Sequence, residues 1–264
     1  DDVIAGFKEK EEELSGYNCT VLIRRISAFG VDDQLEAIDS LLKEEISGLA
    51  ISPQNDPSIA KKINELYDMG IPTVTFNTDI SGSKRIAYVG SNYYKCGQTA
   101  AGLMHLMSSG PLNIGIVSGY SQILCHTERI AGFKSCLEQY TNLHVVDFFE
   151  NKDDDFISYE KTTKMLTDHP EINAVFFAAS GTYGGCKAIL AANREKNMKI
   201  ITFDKIATTV EMMKRDVVSA TICQQPRLQG TLPLQILFDH LATGKPPKQE
   251  YNYTSVEICI KENI

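Results

Sequence analysis

The sequence predicts an α/β protein made of two doubly wound parallel-sheet lobes. Short apolar runs rich in β-branched residues recur along the chain. Segments with helical apolar spacing lie between them. Strand follows helix follows strand at intervals of roughly 25 to 30 residues, the pattern of right-handed βαβ units.

Taken in order, residues 1–14 read as an amphipathic helix through Val3, Ile4, Phe7 and Leu14. A doubly wound domain normally opens with a strand. The chain is therefore expected to begin inside its first βα unit, with the first strand missing. Strands are expected at 20–23, 48–51, 73–76, 87–89, 113–117, 144–146, 174–177, 200–203 and 220–223. Leu35, Ile38 and Leu42 share one helical face. Ile59, Ile63 and Leu66 share another, behind an Asp56 N-cap and Pro57 at the first helical position. Ile130, Phe133 and Leu137 mark a third.

Two places break the rhythm. Residues 77–86 are polar, contain Ser81, Gly82 and Ser83, and leave no room for a helix. They are expected to carry the chain from one sheet to another. Residues 251–260 alternate like a strand after the turn at 244–247, and are expected to bring the chain back.

Composition narrows the classes. The chain has 264 residues, 43% of them hydrophobic, enough for one large or two ordinary cores. The longest apolar runs, such as 174–179, are far short of the ~20 residues of a membrane helix. Lys and Arg total 26 against 34 Asp and Glu, a net charge of −8. An acidic chain without a Lys/Arg cluster binds nucleic acid poorly by itself. The seven cysteines form no C-x-x-C pair, and most sit in apolar runs. That pattern reads as reduced thiols in a cytosolic protein, with an exported protein carrying one or two disulfides as the alternative.

In an open parallel sheet, ligands bind beyond the carboxyl ends of the strands. The residues expected there are Arg24, Ser52, Asn77, Ser118, Ser180, Asp204 and Gln224. Most are neutral and rich in hydrogen-bonding capacity, which suits a hydroxyl-rich ligand. Arg129 would add a guanidinium fork from the first half of a helix, and Tyr120 or Tyr183 could cover a sugar face.

Enzyme signatures are poor. The stretch 181–187 falls short of a phosphate loop, with Cys186 and Ala188 at two required positions, and reads as a helix start loosened by glycine. Ile123 spoils a G-x-S-x-G pattern at Ser121. The five histidines lack metal-ligand spacing, and Cys125–His126 are sequence neighbours that do not share a face. Asp153, Asp154 and Asp155 read as a solvated loop before a helix. No catalytic residue, cofactor or metal is expected, and the protein is read as a binding protein.

These pieces, in order, resemble one family. They are 70–77, 88–92 with Gly97, Ala100 and Ala101, 129–133, 169–176, 201–204 and 220–224. The chain resembles the type I periplasmic-binding-protein fold along essentially its whole length. Ribose-binding-like proteins and the effector domains of LacI-family regulators share that fold. The resemblance implies two lobes joined by a three-segment hinge, with crossings near Ser91, Gln224 and Tyr253. It divides the chain into 1–91 with 225–253, and 92–224 with 254–264. It implies ligand contacts from Asn77, Arg129, Asp204 and Gln224, with Ser180 near the position of a family Asn-Asp pair that is here Ala179–Ser180. The ligand it implies is a sugar or polyol held between the lobes.

Between the family's two roles, the sequence reading favours the regulator. That implies a cytoplasmic homodimer without a membrane partner. Its effector would alter the affinity for operator DNA of a helix-turn-helix domain absent from this chain. The alternative is the sugar-binding receptor of an ABC transporter.

Overall fold

A computed structural model describes residues 2–26 and 30–264. Along the chain lie α1 (Asp2–Glu13), α2 (Val31–Leu42), β1 (Leu49–Ile51), α3 (Pro57–Asp68), β2 (Thr73–Phe76) and β3 (Ala87–Gly90). Then come α4 (Tyr93–Met107), β4 (Leu112–Ser118), α5 (Leu124–Ser135), β5 (Leu143–Glu150), α6 (Asp155–Asp168), β6 (Ala174–Phe177) and α7 (Thr182–Ala191). The chain ends with β7 (Lys199–Phe203), α8 (Ala207–Lys214), β8 (Ala220–Cys223), α9 (Pro226–Thr243), β9 (Tyr251–Tyr253) and β10 (Glu257–Cys259). They form two compact units, one of Asp1–Ser91 with Gln225–Ser255, the other of Asn92–Gln224 with Val256–Ile264.

The first unit holds a parallel sheet in the order β1-β2-β3-β9. Strands β1 to β3 are packed on both faces, while Tyr251 and Tyr253 of β9 are exposed. Leu49 and Ile51 pack with Ile38, Ile59, Ile63 and Leu66 from α2 and α3. Ala50, Val74 and Val89 pack with Leu232, Ile236 and Leu237 from α9. Period-2 alternation of Cβ direction sends neighbouring residues to opposite layers. The expected cap on α3 is present, with Asp56 accepting from the Ser58 amide at 2.8 Å.

The second unit holds six strands in the order β10-β8-β7-β6-β4-β5, parallel except for antiparallel β10. Along fully buried β6, Ala174 and Phe176 join one layer while Val175 and Phe177 join the other. Met104 of α4 and Ile130 and Phe133 of α5 complete the first layer. Met165, Ile189 and Met212, from α6, α7 and α8, complete the second. The α/β class with parallel sheets in two lobes is thus realised.

Three sequence expectations are corrected. Residues 20–23 form no strand. Val21 gives its amide to the Glu11 carboxylate at 2.7 Å, Leu22 is exposed, and among the described residues β1 pairs only with β2. Arg24 accordingly sits at no strand end, and lies 3.6 Å from Glu44 on the surface. Residues 77–86 do not change sheets, because β2 and β3 are parallel neighbours. Ten residues can span ~33 Å, enough to return along a four-residue strand without a helix. Buried Ile80 and the Asp79–Arg85 ion pair at 2.6 Å hold that link against the unit. Finally, 251–260 is two short strands in two different sheets. The last passage between units falls after Ser255, because Thr254 is bonded back to Gly90 and Ser91.

Helices α4 and α5 approach at two glycines. A Cβ on Gly97 would run into the Arg129 carbonyl, and one on Gly132 into the Tyr94 carbonyl. Backbone cannot yield as a flexible side chain can, so overpacking here is costly. Gly97→Ala is expected to lower the free energy of unfolding by ~1–3 kcal/mol in urea titrations. An unchanged transition would mean that the two helices separate freely.

Candidate functional site

The polar residues of the second unit gather beyond the carboxyl ends of its parallel strands. Arg129, on α5, is buried at 5% exposure. Its Nη1 donates to the Ala178 carbonyl, just past β6, at 2.8 Å. Its guanidinium carbon lies 3.8 Å from the ring centre of Phe203 and 4.9 Å from that of Tyr93. Stacking on two π faces suits a planar, weakly hydrated cation. The buried Nε has no hydrogen-bond partner. A buried donor left open is costly, so such groups are rare.

Asp204 directly follows β7 with φ 67°. Its amide bonds to the Ile222 carbonyl at 2.9 Å, and its Oδ1 accepts from Gln224 Nε2 at 2.7 Å. Burial pushes its carboxyl above the ordinary range, against the opposing pull of Arg129 and Gln224. Burial also works against the Arg129 charge, but facing groups including Cys125 and Asp204 outweigh it and keep the guanidinium protonated. Arg129, Asp204 and Gln224 therefore form one cluster drawn from α5, β7 and β8.

The end of β2 in the first unit repeats the Asp204 geometry. Asn77 has φ 60°, and its amide bonds to the Val89 carbonyl at 3.0 Å. Non-glycine residues adopt this left-handed conformation infrequently, and Asn and Asp tolerate it best. Asn77 is exposed, with Nδ2 3.5 Å from Ser52 Oγ. Asn77 belongs to the first unit.

Ser180 is exposed, and its backbone rather than its hydroxyl is engaged. Its amide donates to Asp153 Oδ1 at 3.0 Å, and its carbonyl accepts from Asn151 Nδ2 at 2.7 Å. The aspartate run is built into the fold rather than simply solvated. Asp154 caps α6 through the Ile157 amide, and Asp155 accepts from the Gly184 amide at 2.9 Å. Ser118 is buried at the end of β4, and its carbonyl accepts from the Asn151 amide at 2.7 Å. Tyr183 packs against the second core layer, and the aromatics at Arg129 are instead Tyr93 and Phe203. Sequence reasoning assigned no role to either of these or to Asn151, and it read His126 as no part of a catalytic pair and Asp153 as part of a solvated loop. The one available signal was position, since Phe203 directly precedes Asp204 on a strand.

Among the described residues, no group of three or more His, Cys, Asp or Glu could hold a metal ion, and no helix is long and apolar enough to cross a membrane.

The profile of the periplasmic binding protein domain matches residues 1–246. The chain belongs to that family. The ribose import binding protein RbsB of Bacillus subtilis (strain 168) is 27% identical over 219 residues, covering 81% of this chain and 70% of that protein. A sugar-binding protein of a sugar ABC transporter from Bacillus halodurans superposes with a TM-score of 0.89 at 26% identity, over 100% of this chain and 93% of that one. A Bacteroides fragilis protein assigned as a LacI transcriptional regulator shares the fold, with a TM-score of 0.87 at 22% identity over 99% of this chain and 92% of that one.

His126, one turn before Arg129, is buried and bonds through Nδ1 to the Tyr120 carbonyl at 3.2 Å, with Nε2 3.9 Å from Asp153. Burial, helped by Arg129, lowers its pKa, against the pull of Asp153, Tyr120 and Glu150. The unfolded chain therefore takes up this proton at a higher pH than the folded protein does. His126 contributes stability that is complete above the ordinary histidine range near 6.5 and is lost as pH falls below it. The slope is at most ~1.4 kcal/mol per pH unit. Urea unfolding between about pH 7 and 5 should show this loss, and His126→Gln should flatten it. Equal slopes in the two proteins would place the proton elsewhere.

Proposed function

We propose that this chain is the sugar-binding receptor of an ABC-type importer, working outside the cytoplasmic membrane. The observation that carries the reading is the Arg129 cluster. A buried guanidinium with an open donor, stacked between two aromatic rings beside an elevated carboxyl, is a site prepared for a neutral polyhydroxylated molecule. Ligand hydroxyls would accept from Arg129 and donate to Asp204, and Gln224 fixes the carboxylate for that task. Asn77 and Ser180 remain proposed contacts at their own strand ends.

The relatives lend weight to transport over regulation. The Bacillus subtilis relative and the Bacillus halodurans structure are both named for sugar binding, one for import and the other for an ABC transporter. The regulator reading rests on a likeness of fold alone. An importer's receptor works in an oxidising compartment, which displaces the cytosolic expectation drawn from cysteine content.

Thermal melting against a panel of aldopentoses, aldohexoses and polyols is expected to find a stabiliser, since a ligand bound only to the folded state raises its stability. Arg129→Ala and Asp204→Ala should each weaken that ligand by ~1–3 kcal/mol in calorimetric titration, roughly tenfold or more in Kd. A panel without any stabiliser, or two variants that bind like the parent, would overturn the reading.

A further inference from the structure

The second unit ends in a sulfur pair that the ligand reading does not use. Cys223 closes β8 and Cys259 closes β10, the antiparallel edge strand. The register sets Cys223 opposite Glu257 and Cys259 opposite Thr221. Directly opposed residues project from the same face, and so do residues two apart on one strand. The two cysteines therefore share a face, one step apart along a diagonal. Both are buried, at 8% and 1% exposure, and their Sγ atoms lie 3.5 Å apart.

From this geometry we propose that Cys223 and Cys259 are a disulfide site, closed by exchange with a small-molecule disulfide. A disulfide needs S–S ≈ 2.05 Å, so the sulfurs must approach by about 1.5 Å. The strand that must yield has three residues and, among the described residues, pairs on one side only, with β8. Edge strands of that length shift more cheaply than central ones. The bond would close a loop containing Gln225–Ser255, whose two ends are the chain's second and third passages between units. It would also sit one residue from Gln224.

The exchange runs in two balanced steps. Cys223 loses its proton to solvent, and its thiolate attacks one sulfur of oxidised glutathione, forming a mixed disulfide and releasing one glutathione thiolate. Cys259 then loses its proton and attacks Cys223 Sγ, releasing the second glutathione. Two protein thiols are oxidised and one glutathione disulfide is reduced to two thiols. Burial, reinforced by Cys259, pushes the Cys223 thiol up to about 12. Closure is therefore slow at neutral pH and faster in alkali.

The test uses the whole folded chain, incubated with oxidised glutathione at mildly alkaline pH, then denatured, alkylated and digested with trypsin. Mass spectrometry is expected to find peptide 216–227 linked to peptide 249–261, with a mass two hydrogens below their sum. Dithiothreitol should abolish the link, and Cys259→Ser should never form it. The oxidised protein should melt at a higher temperature than the reduced one, a difference that Cys259→Ser lacks. Full alkylation of both cysteines after oxidation, or linkage of Cys223 to any other cysteine, would overturn the proposal. Sugar binding is scored separately, so failure here leaves the ligand reading standing, and the reverse holds too.

Discussion

The second unit is organised around one buried positive charge. Removing an ion from water costs several kcal/mol even after the surroundings relax, so the Arg129 guanidinium must be compensated locally. The Ala178 carbonyl, the two flanking rings and the field of Asp204 supply that compensation. They come from three elements besides α5, so the end of β6, β7 and the start of α4 must arrive in register with it. The glycine contacts between α4 and α5 are part of the same arrangement, because the backbone carbonyl that Gly97 approaches is that of Arg129 itself.

Compensation is incomplete in a specific way. One buried donor of Arg129 is open, and the Asp204 carboxyl is held above its ordinary range. Both are unfavourable in a protein that has only to fold. They are expected in one that leaves hydrogen-bonding capacity for a partner. The left-handed backbone at Asp204, repeated at Asn77, has the same character, since it ends a strand with a short polar side chain in a sparsely populated conformation.

Cysteine content and the proposed function point to different settings. Seven cysteines without metal spacing read as cytosolic thiols, yet the relatives point to sugar import. Burial reconciles the two. Apolar surroundings raise the thiols of Cys96 and Cys186 to about 11 and about 12, which makes them slow to react near neutral pH. Cys223 and Cys259 differ because a second sulfur lies within reach.

What the sequence determined by itself was local. Helical spacing placed α2, α3 and α5, the Asp56–Pro57 pair marked the start of α3, and apolar runs placed eight strands to within a few residues. The places of Asn77, Asp204 and Gln224 at strand ends and of Arg129 in the first half of a helix were legible in the sequence, while their role in binding is a proposal. Pairing was not. Residues 20–23 have strand composition but no ladder, since a strand exists only where a neighbour supplies hydrogen bonds. The run 251–260 looked continuous and serves two sheets, and 77–86 looked like a passage between sheets and joins two neighbours in one. Tyr93, Phe203, His126 and Asp153 carry no local mark of their surroundings. Tertiary structure alone decided them, because burial, stacking and charge proximity are properties of residues distant in sequence, which no window along the chain contains.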